Sequence, residues 1–279
     1  MTLDEKYQNL QNILSEFNSA VIAFSGGVDS TLLLKVACDS LGANKVLALT
    51  ATSPLYPSYE TEQSKQLAND FGVRQQFINS NEMELVDFVK NDLQRCYHCK
   101  HNLFSLFLHK MKKTPFETLL DGSNLDDQDD YRPGRKAVTQ LKIRSPLLEA
   151  NLGKQEVREL SRQLGLPTWD KQPFACLASR FPYGTRITVD RLKRIDRCET
   201  WLRLQNFTHY RVRCYDQLAR IEIAPEEIPR LLDKTLRLDL VETFKLNGFD
   251  YVTLDLQGYR SGSMNEILPQ TDNLAVKCL

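Results

Sequence analysis

The chain has 279 residues, with 36 Lys plus Arg against 36 Asp plus Glu and a formal net charge of zero. At 42% hydrophobic and 26% charged residues it has the composition of a globular protein with a real core, which excludes a disordered chain. The even balance excludes a protein that holds nucleic acid by charge alone, and no apolar run reaches the ~20 residues that a spanning helix needs.

Residues 1–14 are polar and amphipathic with no signal-peptide core, so a cytoplasmic protein with no membrane partner is expected. Seven cysteines are too sparse for a disulfide scaffold and should be thiols in a reducing compartment. Residues 20–24 read as a short buried strand, followed by a Gly-rich turn and an apolar helix over 30–41 that stops at Gly42. A strand over 45–51, an amphipathic helix over 57–71, a strand over 73–78 and a helix over 82–93 follow. A further helix spans 103–112, and a fourth strand ends in Leu119-Leu120-Asp121-Gly122. This alternation predicts right-handed βαβ units and an α/β fold with a parallel sheet covered on both faces. Ligands of such sheets bind beyond the carboxyl ends of the strands.

The segments 121–144 and 171–185 are loop-rich, and long loops inside a compact domain are usually functional. A long helix is expected over 189–205, then alternating segments at 209–215 and 218–223 that look like antiparallel strands. Two helices and a strand over 251–256 complete the pattern. The boundary is placed near 187, giving an α/β domain over 1–187 and a smaller α+β domain over 188–279.

The strongest local signal is Ser25-Gly26-Gly27-Val28-Asp29-Ser30, between strand and helix. Two glycines let the backbone turn its N–H groups onto an anion, and the helix behind them adds the positive end of its dipole. Ser25 and Ser30 can donate hydroxyls to the same oxygens, while Asp29 can hold an accompanying Mg²⁺. It is neither a Walker A loop nor a dinucleotide fingerprint. The motif resembles the pyrophosphate-binding loop of the PP-loop ATPases, which implies an adenine nucleotide alpha hydrolase-like domain that adenylylates a carboxylate or carbonyl oxygen with ATP. In that family adenine binds near the end of the second strand, here 48–53 with Thr50 and Ser53.

Further stretches narrow the choice. Gly122 to Asp127 with Arg132 clusters carboxylates and donors after a strand, which suits a ribose, a metal and a phosphate together. Cys176 with Ser179 and Arg180 sets a thiol beside a hydroxyl and a cation in a Gly/Pro-shaped loop, an arrangement for nucleophilic work. Cys38, Cys198, Cys214 and Cys278 stand alone and read as core filler. Cys96-Tyr97-His98-Cys99 is different: with Cys176 it offers three thiolates for a [4Fe–4S] cluster or, joined by His98 or His101, a structural zinc site, with unliganded thiols as the third reading. Arg211 and Arg213, two apart on a strand, point to one face and suit phosphate.

Together these segments resemble the ATP-dependent sulfur transferases that build the nickel-pincer nucleotide cofactor of lactate racemase (the LarE family), from the loop at 25–30 through Arg180-Phe181-Pro182-Tyr183-Gly184 to Gly258-Tyr259-Arg260-Ser261-Gly262. The resemblance implies that ATP adenylylates a carboxylate of pyridinium-3,5-biscarboxylic acid mononucleotide and that sulfur then displaces AMP. In sacrificial members a cysteine matching Cys176 gives up its sulfur. The additional Cys96 and Cys99 imply instead a cluster that delivers exogenous sulfide. By the same resemblance Arg211, Arg213, Glu199 and Glu222 hold the nucleotide substrate, and the protein is a homo-oligomer. A tRNA thiolase is the rival reading, weakened by zero net charge and by the lack of an RNA-binding appendage. A non-catalytic ATP-binding homologue is the other.

Overall fold

A computed structural model describes residues 1–128, 133–172, 175–260 and 262–266. They fall into two compact units, one taking in 1–82 and 94–172, the other 83–93 and 175–266 apart from 261. Arg132 and Cys278 lie outside the described residues. Among the described residues no helix is long and apolar enough to cross a membrane.

The first unit opens with α1 (Leu3–Ser15), whose N-terminus is closed by a capping box between Thr2 and Glu5. The chain then runs β1 (Ala20–Ala23), α2 (Val28–Leu41), β2 (Val46–Thr52), α3 (Ser58–Asp70) and β3 (Arg74–Asn79). A short helix α4 (Val86–Val89) belongs to the second unit. α5 (Arg95–Met111), β4 (Thr118–Leu120), α6 (Pro133–Gln140), α7 (Pro146–Glu149) and α8 (Lys154–Gln163) complete the first unit. Its four strands are parallel in the order β3-β2-β1-β4, the α/β sheet that the alternation implied.

Both faces of this sheet are covered, so its central strands read as continuous apolar runs. Ala20, Ile22, Val46 and Ala48 face a core shared with α1, α2 and α8, whereas Val21, Leu47 and Leu49 face Phe104, Phe107 and Val138 of α5 and α6. The order also fixes where a ligand can sit. From β1 the chain winds to β2 and β3 on one side, and β4 lies on the other. The crevice between the carboxyl ends of β1 and β4 is therefore the topological switch point.

The second unit contains α9 (Val189–Leu204), capped by the Thr188 side chain. After it come β5 (Tyr210–Tyr215), β6 (Leu218–Ile223), α10 (Ile228–Leu231), α11 (Lys234–Leu246) and β7 (Tyr251–Leu254). β5 and β6 are antiparallel, and β7 adds to β6 in parallel.

Two expected helices change. The helix over 82–93 is reduced to one 3-10 turn at Glu82–Glu84 and the four residues of α4. Leu85 is extended, and Asn91 takes a left-handed conformation at φ 58° while its amide donates to the carbonyls of Pro182 and Thr185. Tertiary hydrogen bonds thus replace the helical ones. The helix over 103–112 instead begins at Arg95, so Cys96 and Cys99 lie one turn apart on α5 rather than in a loop before it.

Candidate functional site

The Gly-rich loop leaves β1 at the switch point. Phe24 extends the sheet by donating its N–H to Leu49 O at 2.8 Å, and the Thr50 hydroxyl donates to Phe24 O at 2.7 Å. Gly26 then reverses the chain at φ 72°, pressed so close to α3 that a Cβ there would stand 3.1 Å from Ser64 Cβ. Inside the turn Ser25 Oγ lies 3.1 Å from Ser30 Oγ and accepts from Gly27 N–H at 3.3 Å. Gly27 is the N-cap of α2, and no side chain caps that helix. Among the described residues no side chain thus uses the first-turn N–H groups, and an anion is what the helix dipole favours at such an end.

The β4 side closes on this loop from below. A Cβ on Gly122 would lie 3.1 Å from Ser30 N and 3.3 Å from the Asp29 carbonyl carbon, so only glycine allows that approach. Asn124 donates to Asp29 Oδ1 at 2.9 Å and takes the N-terminal turn of Asp126 and Asp127 onto itself through its own backbone and side chain. Asp121 accepts from the Ser123 and Ser145 hydroxyls and is buried. Ser53 sits at the end of β2, where its hydroxyl accepts from Leu55 N–H. The structure therefore brings Ser25, Gly26, Gly27, Asp29, Ser30, Gly122 and Asp127 together at one end of the sheet. Thr50 supports the loop, because its hydroxyl also accepts from Gln75, whose amide reaches Ser64 as well.

Two lysines that sequence reasoning passed over also meet the loop. Lys154 Nζ lies 2.5 Å from Asp29 Oδ2. Lys171 Nζ donates to Gly26 O at 3.1 Å and to Glu60 Oε2 at 2.6 Å. No motif marks either one, since each reaches the loop from more than 120 residues away in the chain.

A family model for NAD synthase matches residues 4–104, the stretch that carries this loop. An uncharacterised protein of Synechocystis is 44% identical over 266 residues, covering 95% of this chain and 99% of that protein. One of Methanocaldococcus jannaschii is 28% identical over 93% of this chain and 94% of its own. The pyridinium-3,5-bisthiocarboxylic acid mononucleotide synthase of Lactiplantibacillus plantarum is 37% identical over 268 residues, 96% of each chain. The chain belongs to that synthase family. It is thereby a member of the ATP-utilising PP-loop enzymes, as the loop's residues implied.

The second unit of this synthase-family chain gathers the other expected residues into one network. Arg180 is wholly buried, and Nε and Nη2 donate to the two oxygens of Glu199 at 2.8 Å each. Its Nη1 donates to Ala175 O, Cys176 O and Ser179 Oγ, so the guanidinium fixes the backbone that carries Cys176. Glu199 also accepts from Val212 N–H. Burial pushes the Glu199 carboxyl up, but the Arg180 charge and hydrogen bonds, then the Arg211 charge and Val212 N–H, outweigh it and hold it below the usual carboxylate range. Arg213 pairs bidentately with buried Glu222 at 3.0 and 2.7 Å and donates to Ser179 O and Ser263 Oγ. Arg220 adds a second guanidinium to Glu222. Arg211 stacks over the Tyr259 ring at 5.1 Å, and burial followed by the Arg180 charge lowers its pKa. Arg180, Arg211, Arg213 and Arg220 set against Glu199, Glu222 and Asp255, which Arg220 also approaches at 3.6 Å, leave a small positive excess.

The cysteines divide by surroundings. Cys198 and Cys214 are buried, as core filler should be, and burial pushes the Cys198 thiol up to about 12. Cys38 is half-buried in α2, with its thiol pushed up to about 11 by burial and then by Asp39. Cys96 is exposed and Cys99 half-buried on one face of α5, with Cys99 Sγ 4.0 Å from Glu82 Oε1. Cys176, also half-buried, N-caps a 3-10 turn at Leu177–Arg180. Thiolate chemistry suits iron or zinc, and carboxylate suits Mg²⁺. Among the described residues no group of three or more His, Cys, Asp or Glu is gathered to hold a metal ion.

Proposed function

We propose that this chain is an ATP-dependent sulfur transferase that turns a carboxylate of pyridinium-3,5-biscarboxylic acid mononucleotide into a thiocarboxylate. The observation that carries the reading is the uncapped Ser25–Ser30 loop at the switch point of the sheet, in a chain 37% identical along its length to a bisthiocarboxylic acid mononucleotide synthase. A carboxylate oxygen attacks the α-phosphorus of ATP, the bond to the β-phosphate oxygen breaks, and pyrophosphate leaves with the electron pair. The loop N–H groups and the dipole of α2 stabilise the charge that develops on the departing oxygens. AMP is then the leaving group that the carboxylate lacked.

Sulfur enters next. The Cys176 thiolate attacks the acyl carbon and expels AMP, leaving a thioester. Loss of the Cys176 α-proton breaks its Cβ–S bond, so the sulfur stays with the product and dehydroalanine remains in the chain. Ser179, Arg180, Glu199 and Glu222 shape the loop that presents this thiol, and Arg211 with Arg213 supplies charge for the nucleotide. Asp29 would hold Mg²⁺; the alternative to sacrifice is sulfide carried by a [4Fe–4S] cluster that Cys96, Cys99 and Cys176 would hold, although among the described residues no three such ligands are gathered. The region 188–279 serves substrate binding and self-association in a cytoplasmic homo-oligomer.

Intact-protein mass spectrometry before and after anaerobic turnover with ATP and the pyridinium dicarboxylate nucleotide tests this. A loss of about 34 Da at Cys176, the H₂S given up when cysteine becomes dehydroalanine, is the expected result. Thiolated product with unchanged polypeptide mass, together with about four iron per chain, would replace Cys176 sacrifice by cluster-borne sulfide. No pyrophosphate release with that substrate would overturn the reading itself.

A further inference from the structure

Charge is unevenly shared between the two faces of the parallel sheet. The helices on one face, α1, α2 and α8, carry five Lys and Arg against six Asp and Glu. On the other face lie α5 and α6. Residues 95–113 and 133–144, which contain them, carry nine Lys and Arg and no Asp or Glu. The rest of the chain is left with 27 bases against 36 acids, so overall neutrality conceals a cationic layer.

Some of this charge is matched within the protein, since Lys100 pairs with Asp121 and Arg144 with Glu149. Lys110, Lys112, Lys113, Lys136 and Lys142 take part in no ion pair among the described residues, and all but Lys110 are exposed. Lys142 is the telling one. It closes α6 at φ 55°, with Ile143 N–H reaching back to Val138 O, a position where glycine or asparagine is favoured. The other five non-glycine residues with positive φ among the described residues are Asn or Asp, the types that tolerate it. A lysine there strains the backbone, which glycine would not do. The layer therefore holds its charge at a cost to the fold.

The side chains discriminate between two kinds of polyanion. Nucleic acids are read through arginine forks and open aromatic faces. Here the five unpaired cations are all lysines. The Tyr97 ring is already engaged, with the Lys136 ammonium 5.8 Å from its centroid and its hydroxyl on Gln140. The footprint is also short, because the 17 and 8 residues of α5 and α6 span only about 25 and 12 Å. Compact ammonium charges over so small an area suit a run of carboxylates. We propose that the α5–α6 layer is a docking surface for the acidic segment of a partner protein, its lysines steering the encounter. The inference does not depend on the reading of the nucleotide loop.

The test follows a fluorescein-labelled oligoglutamate by anisotropy on the full chain, at about 50 and about 300 mM NaCl. The peptide should bind at the lower salt and weaken at the higher. Lys112→Glu, Lys136→Glu and Lys142→Glu together should weaken it about tenfold or more, the loss of three exposed charge pairs, at an unchanged melting temperature. The same reversal at three exposed lysines elsewhere, Lys45→Glu, Lys65→Glu and Lys234→Glu, should cost less than about threefold. Lys142→Gly should lower affinity yet raise the melting temperature, since it removes the charge and the strain together. Equal losses in the two triple variants would overturn the proposal, because they report net charge alone. So would absent or salt-indifferent binding, a less stable Lys142→Gly, or tighter binding of an RNA oligonucleotide of equal charge.

Discussion

Replacing Arg180 by Met separates the value of a buried ion pair from the damage of breaking it. Arg180 and Glu199 are both at least nine-tenths buried, and the pair is bidentate at 2.8 Å. In Arg180→Met the Glu199 carboxylate keeps one hydrogen bond, from Val212 N–H. Removing one partner of a buried ion pair costs about 3–5 kcal/mol. At the ~2–4 °C per kcal/mol typical of chains somewhat smaller than this, the melting temperature should fall by roughly 6–20 °C. Replacing both partners, Arg180→Met with Glu199→Leu, should recover most of that loss, because an apolar pair of similar volume is often neutral. The pH dependence has a definite sign. In the native protein the Glu199 carboxyl titrates below its ordinary value, so its contribution is complete above about pH 4.3 and is lost as pH falls through the folded value. In Arg180→Met only the Arg211 charge and the Val212 N–H still oppose burial, so the carboxyl titrates higher than in the native protein and less of the variant's stability is lost as pH falls. The deficit should therefore shrink on acidification. Urea denaturation at pH 7.5 and 5 measures both quantities. A single-variant loss under about 1 kcal/mol, or a double variant no better than the single, would refute the reasoning.

Three further outcomes follow from other contacts. Gly122→Ala places a methyl 3.1 Å from Ser30 N, a backbone atom that can move only with the loop, so ATP affinity should fall more than about tenfold for a stability loss of ~1–3 kcal/mol; calorimetry beside thermal unfolding checks it. Lys171→Met removes the latch to Gly26 O and Glu60, and should weaken ATP and AMP binding together rather than ATP alone. Under native iodoacetamide labelling at pH 8, Cys96 should react, while Cys198, buried and pushed up to about 12, and Cys214 react only after unfolding; peptide mapping that finds Cys198 labelled as fast as Cys96 would contradict the burial.

The loop was legible because its chemistry needs residue identities in a fixed order, and the parallel sheet because strands and helices alternate at lengths that allow little else. The start of α5 was not. Its N-cap, Gln94, makes no side-chain cap hydrogen bond, and its first turn carries Cys96, Tyr97 and His98 instead of an apolar stripe, so the usual start signal is absent. The segment around Asn91 failed for the opposite reason. Its periodicity is helical, but the partners that decide its conformation, the carbonyls of Pro182 and Thr185, lie some ninety residues away.

Roles depend on a further quantity that sequence does not carry, namely which donors are already used. Arg180 is of the right type for holding an anion, yet each of its nitrogens donates within the protein and none of its surface is exposed. It therefore acts on Cys176 through the backbone, while Arg211 and Arg220 keep exposed surface. Thr50 is likewise a plausible adenine contact by position, but its hydroxyl donates to Phe24 O and accepts from Gln75, so it sets the height of the loop over the sheet. Lys154 reverses the case: no motif names it, yet from the start of α8 it meets Asp29 across 125 residues of chain.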